Sequence, residues 1–351
     1  MTNTYTWSTA AIVRETNDAV TVIFNTNGTA FDYKPGQFVN ITLTIAGEPV
    51  TRSYSLSSLP EDTHPAITVK RVASGKMSNY IVDEHRDIHT WQVSGPHGSF
   101  VMPDQDATVR HLVLLAGGSG ITPLFAIGRS FLNQYPDATV TLIYSSRSTD
   151  DIIFKALLES WADRHRERLK IHYALSQEAA IRDMSHATVS KGRVNKLIAK
   201  KVIKSAVADL QAGTRYFICG PAALMKMHQE MLAAMQVPAD NIFLEWFAPV
   251  ENEGNVALPE SQQEVLLHFY EQSNLLEVGV GKSILAAALE DRIPLPHSCK
   301  AGTCGICAAR LTAGKVTMLN NFSLRQADLE SGLILLCQSY PLTADVTVEI
   351  D

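Results

Sequence analysis

The sequence predicts a multidomain protein of the β plus α/β class: an antiparallel barrel, then a domain with a parallel sheet, then a small C-terminal domain. Three observations support this prediction. Short strand patterns broken by turns fill the first hundred residues, apolar strands alternate with helical stretches from about residue 105, and a polar stretch precedes a new strand pattern near residue 263. With 351 residues, the chain is long enough for roughly two to three domains.

The first hundred residues show the period of a half-buried sheet. The segment "AVTVIFNT" is rich in β-forming residues, and apolar residues alternate with polar or small ones in "FVNITLTI". Turn signals recur at 27–28, 34–36 and 95–98. Short strands with frequent turns indicate an antiparallel barrel. The alternating apolar positions are Val39, Ile41, Leu43 and Ile45.

After about residue 105 the rhythm changes to strand and helix in turn. The strand candidates are "HLVLLAG", "TVTLIYS", "LKIHYAL" and "RYFICG", and the helical stretches include "TPLFAIGRSFLNQY" and "PAALMKMHQEMLAAM". This alternation is typical of βαβ units, so it predicts a parallel sheet that ends around "NIFLEWF" at 241–247.

The stretch 248–263 is rich in Pro, Gly, Glu and Gln, which predicts a linker. It is followed by a strand in "EVLLHFYEQ", a short helix in "SILAAALED" and a terminal strand in "DVTVEI". We therefore expect domains at 1–104, 105–248 and 263–351, with the linker at 249–262.

Composition narrows the class of function. The net charge of −6 gives no electrostatic footprint for nucleic acid, and apolar runs such as "LVLLA" are too short to span a bilayer. The N-terminus shows no signal peptide, so we expect a soluble, cytoplasmic protein with no membrane partner. Residues 263–351 carry six Lys/Arg against ten Asp/Glu, a difference of −4. That acidic module is either a docking face for a partner or an ordinary solvated surface.

The five cysteines, an odd number, argue for metal or catalytic use rather than a disulfide framework. Cys299, Cys304 and Cys307 stand as C-x4-C-x2-C with Cys337 further on, which is the plant-type [2Fe–2S] spacing. The small residues at 301–303 and 305 let backbone amides approach the sulfurs. Structural zinc more often shows two paired C-x2–4-C knuckles, and this spacing is at the edge of that pattern.

The segments "PHSCKAGTCGICAARLTAGKV" and "LLCQSYPLTADVTVEI" together resemble a plant-type ferredoxin domain across nearly all of residues 263–351. The resemblance implies a β-grasp fold. It also implies that the four cysteines of the C-terminal domain are the ligands of a [2Fe–2S] cluster.

The segment "RSYS" at 52–55, taken alone, could be a strand with an outward arginine. It resembles the R-x-Y-S pattern of the ferredoxin–NADP⁺ reductase superfamily, at the expected place in an N-terminal barrel. The resemblance implies a six-stranded flavin-binding barrel. Arg52 would bind the flavin phosphates, with Ser53 and Lys70 also at the cofactor, and a guanidinium suits that task. Tyr54 would pack on the ring and ribityl, and Ser55 would hydrogen-bond near flavin N5.

The segment "GKMS" is a weak signal alone, but it follows R-x-Y-S at the superfamily's distance. The resemblance implies that amides at a helix start bind the flavin pyrophosphate. It favours FAD, because FMN-using oxygenase reductases usually carry a glycine-richer version here. The residues concerned are Gly75, Lys76, Met77 and Ser78.

The segment "LLAGGSGITPLFAI" follows a strand and opens a helix. Gly117, Gly118 and Gly120 permit a tight turn and close phosphate approach, with Thr122 expected at the N-cap and Pro123 at the first helical position. Pro123 stands where the dinucleotide fingerprint has its third glycine, so a glycine-rich strand-to-helix turn is the alternative. Within the superfamily, GG-S-G-I-T-P, which includes Ser119, resembles the loop that binds the nicotinamide-dinucleotide pyrophosphate.

Two further segments complete the resemblance. "FICGPAALM" places Cys219, Gly220 and Pro221 in the superfamily's C-G-P element, which implies a sulfur near nicotinamide C4, whereas a lone strand-end cysteine is usually a small buried hydrophobe. In "LEWF", Glu245 matches the acidic residue near the hydride-transfer centre. Phe247 matches the aromatic residue that covers the flavin, and an ordinary core role is its alternative.

The choice between NADH and NADPH stays open at this stage. Ser146 and Arg147 stand where a 2′-phosphate could be held, which favours NADPH. However, Gln177 stands where the superfamily has its second phosphate-binding arginine, and it carries no charge.

Taken together, the three motif sets cover essentially the whole chain, which resembles the three-domain reductase components of bacterial multicomponent oxygenases. The resemblance implies an oxidoreductase that transfers a hydride from NAD(P)H to FAD, with Ser55, Cys219 and Glu245 shaping the catalytic pocket. Electrons would then pass singly through the [2Fe–2S] cluster to a protein acceptor, the terminal component of an oxygenase. The alternatives are a reductase of a hybrid-cluster or other redox protein, and a redox-responsive binding module without turnover.

Overall fold

A computed structural model of the protein describes residues 4–103, 108–179, 184, 186–207, 210, 213–248 and 258–350. The chain forms two compact units, one that ends at Phe247 and one that begins at Ala248. Most of the predicted linker, 249–257, lies outside the described residues, and the predicted domain boundaries stay predictions. Within the described ranges, no helix is long and apolar enough to cross a membrane.

The first part of the chain forms an antiparallel barrel. A bridge between Leu56 and Ile67 closes the sheet by joining the segment after its fourth strand to the fifth. The four alternating residues predicted in "FVNITLTI" are all buried. The elements are β1 (Thr4–Thr16), β2 (Ala19–Asn25), β3 (Phe38–Ile45), β4 (Glu48–Ser55), β5 (Ala66–Lys70), α1 (Lys76–Glu84) and β6 (Thr90–His97), with the sheet order β4-β3-β6-β1-β2-β5.

The second part of the first unit is the predicted parallel sheet. Its strands are β7 (His111–Gly117), β8 (Thr139–Ser146), β9 (Leu169–Leu175), β10 (Ala187–Lys191), β11 (Thr214–Cys219) and β12 (Ile242–Glu245). Its helices are α2 (Ile121–Gln134), α3 (Lys155–Arg164), α4 (Lys196–Ala206) and α5 (Ala222–Ala234). All strand pairs are parallel, in the order β10-β9-β8-β7-β11-β12.

The central strand β7 is apolar throughout because both faces of the sheet are covered. Leu112, Leu114 and Ala116 belong to the core under α2 and α3, whereas Val113 and Leu115 belong to the core under α4 and α5. The chain runs outward from β7 to β10 on one side and from β11 to β12 on the other. The crevice beyond the carboxyl ends of β7 and β11 is therefore the topological switch point, where such sheets bind ligands.

The predicted start of α2 is wrong. A 3-10 turn at Gly118–Gly120 leads directly into the helix, so Gly120 is the N-cap and Thr122 is the second helical residue. The Thr122 hydroxyl donates to the Ser119 carbonyl at 3.0 Å. Pro123 is the third helical residue rather than the first, still within the first turn, where a missing N–H leaves no helix hydrogen bond unmade.

The second unit contains a five-stranded mixed sheet, as a β-grasp domain requires. The strand predicted in "EVLLHFYEQ" breaks at Tyr270, which has a φ of +52°, and continues as a second strand of a hairpin. The elements are β13 (Gln263–Phe269), β14 (Gln272–Val278), α6 (Ile284–Glu290), β15 (Ala308–Ala313), β16 (Val316–Met318), α7 (Gln326–Glu330), β17 (Leu333–Leu335), β18 (Ser339–Pro341) and β19 (Val346–Ile350). The sheet order is β14-β13-β19-β15-β17, and β16 pairs with β18.

Candidate active site and cluster loop

The loops after β7 and β11 approach each other closely enough to require glycine. A Cβ at Gly120 would lie 2.1 Å from the Cys219 carbonyl oxygen, and one at Gly117 would lie 2.4 Å from Leu224 Cδ2 and 2.8 Å from Pro221 Cδ. A Cβ at Gly220, whose φ is +159°, would lie 3.0 Å from the Gly117 Cα. The absence of a Cβ at these glycines therefore lets the two loops approach closely and keeps the switch-point crevice narrow.

Gly118 faces open space instead. Its φ is +54°, and the nearest atom to a Cβ built there is Lys70 Nζ at 3.9 Å. The Tyr144 hydroxyl donates to the Gly118 carbonyl at 3.0 Å and fixes the turn. An open backbone with a lysine beside it at the start of α2 fits a pyrophosphate, since helix N-termini bind anions. Ser119 completes the same turn.

Ser55, Cys219 and Glu245 come together although they are far apart in sequence. Cys219 on β11 pairs in register with Glu245 on β12, and the Ser55 hydroxyl at the end of β4 donates to Glu245 Oε2 at 3.1 Å. The barrel thus contributes Ser55, and the parallel sheet contributes the other two residues.

Burial controls the protonation of this group. Desolvation raises the pKa of Glu245 to about 8, only partly offset by the Ser55 hydrogen bond, so the carboxyl holds a proton at neutral pH. The Cys219 thiol is fully buried, and desolvation together with nearby Glu245 raises its pKa well above the usual value. Cys219 is therefore a neutral thiol and not a nucleophilic thiolate.

The R-x-Y-S residues lie on β4, which is at one end of the sheet order. Arg52 and Ser53 are exposed there, with the Arg52 guanidinium donating to the Thr51 carbonyl at 2.7 Å and Ser53 Oγ donating to Asn40 Oδ1 at 2.7 Å. Tyr54 is half-buried, and desolvation raises its pKa, so its phenol stays neutral. An exposed guanidinium beside a half-buried aromatic ring fits a flavin phosphate and ring.

The "GKMS" residues form the start of α1, which packs against β3, β4 and β5. Gly75 is the N-cap and offers no side-chain cap, and a Cβ there would lie 2.4 Å from Ser78 Oγ. Ser78 Oγ accepts from the Val72 amide at 3.2 Å, and Met77 is buried in the barrel core. Met77 and Ser78 therefore have structural side chains, and only the backbone amides here, including that of Lys76, suit a pyrophosphate.

Arg147, just after β8, is flanked by two carboxylates. Its Nη2 lies 2.7 Å from Asp18 Oδ2 and also donates to Asp151. Asp18 in turn lies 3.9 Å from Lys70 Nζ. Ser146 is buried, and its Oγ meets no hydrogen-bonding partner among the described residues.

Phe247 ends the first unit with 46% of its surface exposed, which excludes the core role and leaves the ring available. Pro221 precedes α5 as its N-cap.

In the second unit, the four cysteines of the predicted cluster converge. The thiols are close enough to influence one another: those of Cys304 and Cys337 lower the pKa of Cys299, and that of Cys337 lowers the pKa of Cys307. The Ala301 amide donates to Cys299 Sγ at 3.4 Å. Four free thiols with an amide donor on one of them fit the sulfur ligand set of a [2Fe–2S] cluster.

A buried amide side chain braces this loop. Gln338 Nε2 donates to the carbonyls of Lys300 and Cys337, both at 3.0 Å, and its Oε1 accepts from Asn320 Nδ2 at 2.9 Å. Gln338 thus ties the loop of the first three predicted ligands to the turn between β17 and β18 that carries the fourth. Sequence reasoning missed this role, although its place directly after Cys337 was a signal.

Sequence reasoning also missed Asp18 and Asp151. Asp151 follows Arg147 by four residues, and this short spacing was a usable signal. Asp18 lies 129 residues before Arg147, so only the fold shows that the two meet.

Three family models match the chain in the expected order. The oxidoreductase FAD-binding domain matches residues 10–102, the oxidoreductase NAD-binding domain matches 114–230, and the 2Fe-2S iron-sulfur cluster binding domain matches 269–342. The prediction of FAD, a nicotinamide dinucleotide and a [2Fe–2S] cluster is confirmed, and the zinc alternative is set aside. The fold and the site define an NAD(P)H-dependent flavin and iron–sulfur oxidoreductase.

Relatives resolve the family further. The chain is 32% identical over 360 aligned positions to one of the subunits of 1,2-phenylacetyl-CoA epoxidase from Escherichia coli K12, covering 100% of this chain and 99% of the relative. It is 33% identical to the ferredoxin reductase component of 3-ketosteroid-9-alpha-monooxygenase from Mycobacterium tuberculosis, covering 97% and 94%. The chain belongs to this family of three-domain oxygenase reductase components.

Solved structures show the same fold. Phthalate dioxygenase reductase matches with a TM-score of 0.60 at 22% identity, over 99% of this chain and 98% of its own. An intact type IV self-sufficient cytochrome P450 monooxygenase matches with a TM-score of 0.74 at 21% identity, over 99% of this chain and 41% of its own.

Proposed function

We propose that this protein delivers electrons from NAD(P)H, one at a time, to the terminal component of a multicomponent oxygenase. The observation that carries the proposal is that one chain holds both the group formed by Ser55, Cys219 and Glu245 and the four-thiol loop. The named functions of the relatives support an oxygenase as the acceptor. The acidic C-terminal module, at −4, supports docking by charge.

When bound, NAD(P)H supplies a hydride, FAD converts the electron pair into single electrons, and the cluster carries them one by one. The chain supplies position. Arg52 and the amide-bearing start of α1 would hold the FAD phosphates, and Gly118, Lys70 and the start of α2 would hold the dinucleotide.

Ser55 and Glu245 would hold and transfer a proton. Glu245, a partly buried carboxyl whose pKa desolvation raises, would hold it, and the Ser55 hydroxyl is the group through which it can move. The neutral Cys219 thiol beside them would fill the space next to the nicotinamide without introducing charge. The exposed Phe247 ring would cover the flavin face until the dinucleotide arrives.

Two other functions compete. A reductase with another acceptor, such as a hybrid-cluster protein, would share every feature described above. A redox-sensing module would need the cluster but not the group around Glu245.

The free thiols and the dinucleotide donor support a cytoplasmic location.

The deciding experiment is anaerobic titration of the purified holoprotein with NADH and, separately, NADPH, followed by absorbance and EPR. We expect bleaching of the flavin bands and then a rhombic [2Fe–2S] signal. A flavin-loaded protein that neither donor bleaches would favour the sensor. Reduction of purified candidate acceptors then separates the oxygenase from other partners.

We expect Cys304→Ser to keep its flavin and to reduce ferricyanide with NAD(P)H, because the hydride pocket lies in the other unit. It should lose cytochrome c reduction by at least about tenfold, since electron exit needs all four thiolates. Glu264→Gln, an exposed change in the same unit, is the control. Full cytochrome c activity in Cys304→Ser would show that electrons leave directly from the flavin.

A further inference from the structure

Arg147 is held between two carboxylates that are themselves fixed. The Thr16 hydroxyl donates to Asp18 Oδ1 at 2.8 Å, which leaves Oδ2 for Arg147 at 2.7 Å. The Ser148 hydroxyl donates to Asp151 Oδ2 at 2.6 Å, which leaves Oδ1 for the same guanidinium. Although burial alone would raise it, the pKa of Asp151 is lowered by Ser148 and Arg147, so this carboxylate stays ionised.

The loop that carries Arg147 is anchored on its other side. The buried carboxylate of Glu178 accepts from both the amide and the hydroxyl of Thr149, each at 2.6 Å. The Gln177 amide donates to the Arg147 carbonyl at 2.7 Å. These bonds fix the backbone between β8 and α3, so the arginine's position is set by more than its two carboxylates.

The charges in this group of described residues balance, so the Arg147 guanidinium has no uncompensated charge to offer a 2′-phosphate. Lys70 lies 3.9 Å from Asp18, so the group comprises two cations and two carboxylates without net positive charge. A bound 2′-phosphate would have to displace Asp18 and Asp151 from Arg147 or lie beside them. Like charges placed together at a binding site disfavour binding, whereas carboxylates accept hydrogen bonds from a ribose diol.

The residues after β8 occupy the position at which nucleotide-binding sheets of this kind recognise the adenosine ribose. In nucleotide-binding sheets of this kind, the residues after the second strand contact the adenosine ribose or its 2′-phosphate. Here that strand is β8, next to the phosphate-loop strand β7, and Ser146 and Arg147 follow directly. The Ser146 hydroxyl, buried and without a partner among the described residues, is a further donor or acceptor for a ribose hydroxyl.

We propose that this reductase selects NADH over NADPH, and that Asp18 and Asp151 are its specificity-determining residues. The inference rests on the proposed function, since it assigns the donor of that reaction. Arg147 then positions the two carboxylates and does not bind a phosphate. Asp18, contributed by the turn between β1 and β2, makes donor choice a joint property of the barrel and the parallel sheet.

The test uses the FAD- and cluster-loaded full chain. Steady-state kcat/KM for NADH and NADPH, with calorimetric Kd for NAD⁺ and NADP⁺, is measured for the wild type, Asp18→Asn, Asp151→Asn and the double variant. We expect the wild type to favour NADH by about tenfold or more in kcat/KM and in Kd, and the double variant to lose at least about tenfold of that ratio. Asp163→Asn is the matched control, because it removes an exposed carboxylate on α3 that pairs with Arg166. It should leave the NADH-to-NADPH ratio unchanged.

A wild type that prefers NADPH, or a double variant with an unchanged ratio, would overturn the inference and leave the proposed function intact. If neither donor reduces the flavin, the proposed function fails and the inference fails with it. Each single variant keeps the side-chain shape and hydrogen-bonding oxygen of the aspartate, and the wild-type preference alone decides the sign should a variant fail to fold.

Discussion

Glu245 is a partly buried carboxyl group beside a hydroxyl and a thiol, and its protonation links the site to pH. Its pKa of about 8 is raised by burial from an ordinary value of 4.5. At neutral pH the site therefore contains no charge from this residue. A carboxyl with a raised pKa is neutral at physiological pH and can act as a general acid.

We expect the rate of flavin reduction by NAD(P)H to fall as pH rises through about 8, since Glu245 then loses its proton. Glu245→Gln should lower the rate at neutral pH by about tenfold to a hundredfold and remove this pH dependence. Stopped-flow reduction between pH 6 and about 9.5 measures both effects. Glu159→Gln, an exposed change on α3, should keep the wild-type profile, and a profile shared by all three proteins would exclude Glu245 as the titrating group.

The same group has a consequence for stability, and its sign is fixed by linkage. Between pH 4.5 and about 8 the folded protein holds a proton on Glu245 that the unfolded chain releases. The stability associated with the neutral carboxyl is thus fully present below pH 4.5 and is lost as pH rises through about 8. We expect the Tm of the wild type to fall more steeply over this range than that of Glu245→Gln. Parallel curves would contradict the assignment.

At the scale of elements, the meeting of the loops after β7 and β11 defines the crevice. A Cβ at Gly120 would overlap the Cys219 carbonyl, with both atoms on backbone that cannot rotate away. A Cβ at Gly118 meets nothing closer than the tip of Lys70. Two neighbouring glycines therefore have different physical roles, one in packing and one in leaving backbone open.

We expect Gly120→Ala to reduce the free energy of unfolding of the first unit by about 2–4 kcal/mol, because the two loops must separate. Gly118→Ala is the matched control and should cost only about 1 kcal/mol for its positive φ while raising KM for the dinucleotide. Thermal melts and steady-state kinetics on both variants measure the difference. Equal loss of stability in the two would show that the close approach is not what requires glycine.

A second element-scale prediction concerns the brace on the cluster loop. Gln338→Leu leaves the carbonyls of Lys300 and Cys337 without their amide donor, a loss of about 1–3 kcal/mol for buried groups. We expect faster loss of iron to a chelator and a shifted cluster potential by EPR titration, with flavin content unchanged. Gln326→Leu, exposed on α7, should behave as wild type, and a Gln338→Leu protein with wild-type iron retention would rule out the brace.

The elements that sequence predicted well share one physical property. They are long apolar or alternating runs in which the apolar side chains predict the buried positions, as in β3, β7, β8 and β9. The strand predicted to run through Tyr270 was extended too far, because a tyrosine at positive φ gives no glycine signal for the turn. Thr122 was misplaced because a 3-10 turn, which has no pattern of its own, begins the helix.

The site was predictable only where a resemblance fixed the residues. Cys219 and Glu245 stand 26 positions apart and Ser55 lies 190 positions before Glu245, and nothing in local sequence brings them together. The partners of Arg147 were missed for the same reason. Contacts between the barrel and the parallel sheet follow from how two cores pack, which no period of apolar residues encodes.

At the scale of the whole molecule, each of the two units has cores of its own. Among the described residues, the cores of the barrel and the parallel sheet are built from residues up to Phe243, and the core of the C-terminal unit is built from residues from Val265 onward. Each unit therefore buries its own apolar residues, as an independently folding domain does.

We expect a protein ending at Phe247 to fold, bind FAD and reduce ferricyanide with NAD(P)H to within about twofold of the full chain, because its cores are complete. It should reduce cytochrome c at least about tenfold more slowly, since the [2Fe–2S] loop is missing. A shorter protein ending at Met235 is the control and should lose activity, because it lacks β12 and Glu245. Failure of the longer protein to bind FAD would show that the units depend on each other.

The chain position of Phe247 has a consequence for descent. The residues predicted to bind the nicotinamide donor all lie before that point, and the four cysteines predicted to hold the cluster all lie after it. Selection for a different nicotinamide donor and selection for a different electron acceptor therefore act on separate stretches of the gene. Recombination within the polar stretch between them would therefore change the electron acceptor and leave the nicotinamide donor unchanged.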